Sequence, residues 1–487
     1  MRKHFLLALT AAAVVLAPAS AGAQTLPPMD ITKLKYEPVG FFKPGAAIPA
    51  DYGKACSTLT AQRDGKIFNP SGVWNSFDNT IFEYFCLPYR NQNDTSDHDP
   101  EGNGGEARYG YCANPAATDP LPNSFEDRGG AGTCPNHQLE YIDYYKATML
   151  EVLKDFNPTF HEYEFHNVDG VGRLPAIVVA GADHPDEHII IGSHYDQTTT
   201  GPASLWDSQE GHAEMIRVAK LMANYWKATG TRPSATVKFV PMDGEEDGSD
   251  GSRYYVQHIV VPGQASKVRS YWNADPCAGG YPARRYGNPA DVLPINVQVG
   301  IATSKPRVQA FNDTVTRTIE QTLDALDDTI GAYPDKPETF ISTAENPTLS
   351  DFGKHIFVTT ESPVLFSSDW TNFIGAGIPI FNPTPKVTGP SGPTSSPNPL
   401  YALQNNYPDG VLGFHTPLDN LQTMSRFTGQ DPTGNSYPEA YMKGMEFCSH
   451  LLAWGMLQPN AGGAQTADDS PVAYYEAQPT RPRAASS

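Results

Sequence analysis

A His-x-Asp triplet, His194-Tyr195-Asp196, is followed by Asp207 and then by two adjacent carboxylates, Glu245-Glu246. Imidazole nitrogens and carboxylate oxygens are the ligands of hydrolytic metal sites, where a divalent cation polarises a carbonyl and acidifies water. Taken singly, each piece has an ordinary explanation. H-x-D triplets arise by chance, a Glu-Glu pair is usually a solvated loop, and Asp207, in a Trp-Asp-Ser turn, suits a helix N-cap. Order and placement make the joint case. The unbroken apolar run Ile189-Ile190-Ile191 reads as a strand buried on both faces, and it ends in Gly-Ser-His-Tyr-Asp. A second apolar strand, Val237 to Val240, delivers Glu245 and Glu246. In open α/β sheets ligands bind at the carboxyl ends of the strands, which is where these side chains fall.

On these residues the stretch resembles the co-catalytic di-zinc aminopeptidases, a family that also takes in glutamate carboxypeptidase and glutaminyl cyclase. The family pattern of H-x-D, then Asp before a small-residue turn ending in Gly, then E-E-x-G-x-x-G-S, is met by His194-Tyr195-Asp196, by Asp207-Ser208-Gln209-Glu210-Gly211 and by Glu245-Glu246-Asp247-Gly248-Ser249-Asp250-Gly251-Ser252. Asp275 ends the next expected strand, Val268–Ala274; on its own it reads as a turn residue before Pro276, and the resemblance gives it a ligand's role. Ser367-Ser368-Asp369-Trp370-Thr371-Asn372-Phe373, with Gly377-Ile378-Pro379 behind it, is similar to the family's S-D-x-x-x-F…G-I-P segment. Gly413-Phe414-His415-Thr416-Pro417-Leu418-Asp419-Asn420 resembles its last ligand motif. Two positions depart from the pattern: Trp370 stands where His or Tyr is commoner, and Phe414 where some members carry Tyr. With Trp206 they are the candidates for lining the substrate pocket. The resemblance spans residues 135–457.

It implies two Zn2+ ions per chain, with His194 and Asp275 on one, Glu246 and His415 on the other, and Asp207 between them. Asp196 then orients the His194 imidazole, as carboxylates beside metal-binding histidines do. Glu245, next to a ligand but aimed elsewhere, becomes the general base that takes a proton from metal-activated water and passes it to the leaving amine. The implied activity is an exported aminopeptidase acting on peptides. Two alternatives share the fold: a carboxypeptidase, and a glutaminyl cyclase working with one zinc. A non-catalytic ectodomain-like binding protein fits poorly, because all five ligand positions and Glu245 are in place. His184, His188 and His212 read as surface residues or supports behind the ligands. No G-x-S-x-G elbow exists for a serine hydrolase, and Gly170-Val171-Gly172 lacks the third glycine of a dinucleotide site.

Composition sets the compartment and excludes partners. Met1-Arg2-Lys3-His4, the apolar run Phe5–Leu16 and the small residues after it read as a signal peptide, residues 1–23, so the enzyme is expected to be secreted or periplasmic. No later segment is apolar for long enough to span a membrane. The formal net charge of −20 repels nucleic acid and anionic lipid. Six cysteines follow the leader, an even number that suggests disulfides in an oxidising compartment. Cys56, Cys86, Cys112 and Cys134 are expected to pair among themselves, which leaves Cys277 with Cys448.

The chemistry needs elements to position it. Residues 24–134 are turn-rich, carry four of the cysteines and show no function. The carboxylates of the 91–108 loop have the chemistry for calcium, yet their spacing misses the EF-hand pattern and a solvated loop is the favoured reading. After Cys134 the pattern becomes an amphipathic helix from His137 to Phe156, then strands alternating with helices. That alternation predicts an α/β catalytic domain over residues 135–457, with a central mixed, mainly parallel sheet and helices on both faces, preceded by a disulfide-tied N-terminal region. Further helices are expected over 307–330 and 437–454. The proline-rich run from Pro383 to Pro399 predicts a stiff loop rather than a strand. Residues 458–487 read as a disordered tail.

Overall fold

The computed structural model describes residues 137–167, 170–196, 208, 210–246, 248–260, 265–275, 295–298, 318, 322, 341–342, 356–359, 368–385 and 438–458. All belong to one of the two compact units of the chain, residues 31–487. The expectations for the leader, residues 24–134, the tail, Trp206, Asp207, Phe414 and His415 lie outside the described residues. So does most of the helix expected over 307–330, of which Thr318 and Thr322 are helical.

The first helix, α1 (His137–Val152), forms where the apolar spacing predicts it but stops short of Phe156, a 3-10 turn taking over at Lys154–Phe156; Ile142, Tyr145 and Met149 on it and Leu153 just beyond are buried. A hairpin follows, β1 (Thr159–Asn167) antiparallel to β2 (Gly170–Val179). Then come β3 (His184–His194), α2 (Glu210–Thr229), β4 (Ala235–Met242), the short α3 (Asp250–Tyr254) and β5 (Val268–Asn273). The chain continues through β6 (Ile295–Gln298), β7 (Ile341–Ser342), β8 (Ile356–Thr359), α4 (Trp370–Gly375), β9 (Ile380–Pro385) and α5 (Pro438–Leu457).

The described strands form one sheet in the order β1-β2-β4-β3-β5-β9-β6-β8-β7. The ladders β3–β4, β3–β5, β5–β9, β6–β8 and β7–β8 are parallel; β1–β2, β2–β4 and β6–β9 are antiparallel. The sheet is therefore mixed and mainly parallel, as the alternation implies. Its centre is β4-β3-β5, and because these strands run the same way their carboxyl ends share one edge. β4 and β5 are buried along their whole length, and β3 from His188 onward, so an apolar run without alternation is what these strands require.

Successive side chains on these strands feed two layers. Ile190, Val240, Val268 and Tyr271 join Tyr255, Val256, Phe373 and Ile378 in a cluster under α3, α4 and the helical turn that follows α3. Tyr271 and Phe373 stack there with ring centroids 3.7 Å apart. On the opposite side Tyr145 of α1 donates its hydroxyl to Phe239 O, and α2 meets α5 through the Tyr225–Trp454 edge contact at 6.4 Å. Helices thus cover both faces. Among the described residues no helix is long and apolar enough to cross a membrane.

One expectation fails. Pro383 and Pro385 lie in β9, paired with Val297 and Ile295 of β6, where the proline density predicts a loop. β5 pairs β9 only through Ile380 and Phe381, so beyond Phe381 one side of β9 has no β5 ladder to satisfy. Missing N–H groups are tolerated at such edge positions.

Candidate metal centre

Three strand ends build the site. β3 closes on His194, with Tyr195 and Asp196 just beyond; β4 runs into Asp243 and the Glu245-Glu246 turn; β5 runs into Asp275. Their alignment is fixed by backbone bonds at the same edge: Tyr195 N donates to Met242 O at 2.9 Å, and Ala274 N to Gly192 O at 2.9 Å.

The Glu245-Glu246 turn is a tight structure. Gly248 N and Ser249 N both donate to Glu245 O at 2.8 Å, and Asp250 N to Gly244 O at 2.8 Å. Gly248 has φ +98°, which disfavours any side chain, and a Cβ on Gly251 would lie 2.0 Å from Asp243 O. Both glycines of the E-E-x-G-x-x-G-S pattern therefore have a steric reason. Asp196 supplies the other restraint. Its carboxylate, fully buried, accepts Glu245 N on Oδ1 and Glu246 N on Oδ2, each at 3.0 Å. One anion on the β3 edge thus sets the main chain of both glutamates.

His194 is also fully buried. Its Nδ1 lies 3.1 Å from Asp196 O and 3.7 Å from Asp196 Oδ1, so the ring is held mainly by the carbonyl of Asp196, while the carboxylate serves the glutamates. A carbonyl accepts only, which puts the proton on Nδ1 and leaves a lone pair on Nε2. That lone pair faces Asp275 Oδ1 at 3.3 Å. Asp275 Oδ2 accepts the Ser368 hydroxyl at 2.7 Å, whereas Oδ1 has no hydrogen-bond partner. A cation beside them, coordinated by both, would satisfy this facing pair. Ligand atoms of His194, Glu245 and Glu246 also lie within 4.8 Å of one another, a grouping that could hold a metal ion. Imidazole plus carboxylate is the donor set that zinc takes, so these residues fit the ion implied by the sequence.

Around this core lie groups that motif reading leaves without a role. Asp243 Oδ2 accepts Arg173 N at 3.0 Å, and Tyr195 donates its hydroxyl to Arg173 O at 2.9 Å, which ties β2 to the site. Asp369, fully buried at the start of α4, has its carboxyl pushed up to about 7, mainly by burial, with the His194 ring acting against the rise. Glu214 of α2 is buried with neither oxygen hydrogen-bonded; burial, then the nearby charges of Glu210 and Asp275, raises its carboxyl well above the usual range. Ser368 and Asp369 sit inside the S-D-x-x-x-F segment, so their position is signalled by sequence. Nothing in the spacing marks Asp243 or Glu214.

Trp370 is 2% exposed and packs in the apolar cluster with Phe373 and Tyr271. The three remaining histidines separate: His184 is exposed at the far end of β3, His188 is buried near the middle of that strand, and His212 is fully buried beside His194.

Comparisons with known proteins bear on the family of the chain. The family model described as Peptidase family M28 matches residues 176–431, just over half of the chain. A glutamate carboxypeptidase 2 homolog of Caenorhabditis briggsae is 34% identical over 82 residues, 17% of this chain and 10% of that protein. A probable glutamate carboxypeptidase of Arabidopsis thaliana is 30% identical over 102 residues, 21% of this chain and 14% of that protein. The chain therefore matches only a small part of the length of these curated relatives. Among solved structures, the LapA aminopeptidase of Legionella pneumophila is similar with a TM-score of 0.40 and 11% identity, covering 87% of this chain and 79% of the other. A zinc aminopeptidase from Bacillus subtilis gives a TM-score of 0.35 and 14% identity over 58% of this chain and 50% of the other. By the extent of the family match, and with the His, Asp and Glu residues at the edge of its central strands, the chain belongs to peptidase family M28, a family of zinc metallopeptidases.

Proposed function

We propose that this peptidase is an exported aminopeptidase that uses two zinc ions to remove N-terminal residues from peptides. The observation that carries the reading is the facing pair of His194 Nε2 and Asp275 Oδ1, 3.3 Å apart, with Glu245 and Glu246 grouped beside His194. His194, Glu246 and Asp275 are the described residues that would hold zinc, and the motifs around Asp207 and His415 supply the other two ligands. Zinc, when bound, supplies Lewis acidity that polarises the scissile carbonyl and acidifies water. Glu245 takes the water's proton and returns it to the departing amine, its main chain fixed by Asp196 Oδ1.

The amino-terminal preference rests on the sequence motifs. The motifs around His194, Asp207, Glu245-Glu246 and His415, which resemble those of the di-zinc aminopeptidases, carry that preference rather than the charge of the described carboxylates, which bound zinc would offset. Export is supported by the leader-like N-terminus and by Cys448, which is buried in α5 and disulfide-bonded. A second reading, carboxypeptidase, is favoured by the names of the curated relatives.

A panel of aminoacyl p-nitroanilides, N-blocked peptides with free carboxyl ends and glutaminyl peptides separates these activities. The proposal expects hydrolysis of the aminoacyl p-nitroanilides, no cleavage of the blocked peptides, and no cyclisation of the glutaminyl peptides. Cleavage confined to blocked peptides indicates the carboxypeptidase, and cyclisation of glutaminyl peptides indicates the single-zinc cyclase.

A further inference from the structure

The start of α2 and Ser208 just before it approach the metal centre at three points. Ser208 Oγ lies 2.8 Å from Ser193 Oγ. At Gly211 an added Cβ would stand 1.8 Å from Ala274 O and 2.2 Å from Ser193 Oγ, so only glycine lets the helix come this close. Each of these contacts lands one residue before a ligand candidate, Ser193 before His194 and Ala274 before Asp275. The third point is His212, whose Nε2 lies 2.7 Å from His194 O.

That carbonyl is at the end of β3, where the ladder with β4 stops at the His194–Met242 pair. It is buried; the Ser193 hydroxyl also points at it, at 3.4 Å, and the 2.7 Å contact to His212 is the shorter of the two. The bond requires a proton on Nε2 of His212, because the carbonyl only accepts. The His212 ring is fully buried and packs edge-on against Tyr195, with centroids 6.1 Å apart, which fixes its plane. The donor is therefore held in one tautomer and one place by α2, a helix wedged between the ends of β3 and β5.

We propose that His212 is a positioning residue for the metal centre: by holding the His194 carbonyl it sets where the His194 imidazole stands relative to Asp275. The inference rests on the zinc-peptidase reading of the site. His212 touches no substrate; it acts through His194, and groups that orient metal ligands in this way typically govern metal affinity by about 10–100-fold.

Two amides separate the hydrogen bond from mere packing. Glutamine carries an N–H at about the reach of Nε2, whereas asparagine reaches only as far as Nδ1. Zinc affinity of wild type, His212→Gln and His212→Asn is measured by competition with a chromophoric chelator, with near-UV circular dichroism to show that each is folded and steady-state kinetics on an aminoacyl p-nitroanilide. The expected result is zinc affinity close to wild type in His212→Gln and about 10–100-fold weaker in His212→Asn, with kcat following and KM little changed. Equal affinity in the two variants, whether both retained or both lost, overturns the positioning role. A wild type that binds no zinc fails earlier and sinks the zinc reading itself, so the two failures are distinguishable.

Discussion

Asp196→Asn tests how much of the site depends on one anion. The Asp196 carboxylate accepts Glu245 N and Glu246 N, one on each oxygen, both at 3.0 Å, and is fully buried. Asparagine keeps one acceptor oxygen and turns the other into an NH2 group facing an N–H. One hydrogen bond to a charged acceptor, worth about 1.5–3 kcal/mol, is lost, and the stranded N–H costs about 1–3 kcal/mol more. The sum, about 2.5–6 kcal/mol, is a large part of the roughly 5–15 kcal/mol that a domain typically has. The turn that carries Glu245 also loses its anchor, and a misplacement of about 1 Å at a reacting group costs about 10²-fold in rate. Urea unfolding should show a lower midpoint with an unchanged slope, and kcat on an aminoacyl amide should fall by about 10²-fold or more. An Asp196→Asn protein with wild-type midpoint and wild-type kcat refutes the reasoning.

Gly211→Ala places a methyl group 1.8 Å from Ala274 O, a backbone atom that cannot move without shifting β5. It should destabilise by more than the about 1–3 kcal/mol of ordinary overpacking, seen as a lower thermal midpoint. His188 is held neutral, its pKa lowered to about 4 by burial and then by the Lys238 and Lys267 charges, against the pull of Asp186. The unfolded chain takes up a proton near the ordinary value of 6.5 that the folded chain refuses until about 4, so stability present above 6.5 is lost as pH falls through that window. His188→Gln should flatten this part of the pH dependence, checked by urea midpoints across the window. Chelation should abolish peptidase activity and added zinc restore it, with circular dichroism showing that the fold survives.

The fold was legible where one physical signal dominated. Ile189-Ile190-Ile191 and Val237–Val240 read as strands buried on both faces and are so, being short, unbroken and apolar. The strand-end residues His194, Glu245, Glu246 and Asp275 were legible because motif order and sheet edge agree. Pro383 and Pro385 were misread because proline density signals a loop, and only the one-sided pairing of β9 makes a strand permissible there. His212 was visible as a residue but not as a part of the site, since its bond to His194 O spans two elements whose approach depends on Gly211. The same holds for Asp196: spacing places it beside the His194 ring, while its hydrogen bonds to Glu245 and Glu246 depend on how β3 and β4 pair.

The central claim is that two chemically identical neighbours do different work, Glu246 holding metal and Glu245 moving a proton. Metal content and kcat of Glu245→Gln and Glu246→Ala, purified side by side, test it most directly. Glu245→Gln should keep its zinc and its KM while losing about 10²–10⁴-fold in kcat, the usual contribution of a general base. Glu246→Ala should lose zinc. Zinc loss in Glu245→Gln with full occupancy in Glu246→Ala would reverse the pair, and near-wild-type kcat in Glu245→Gln would contradict the account outright.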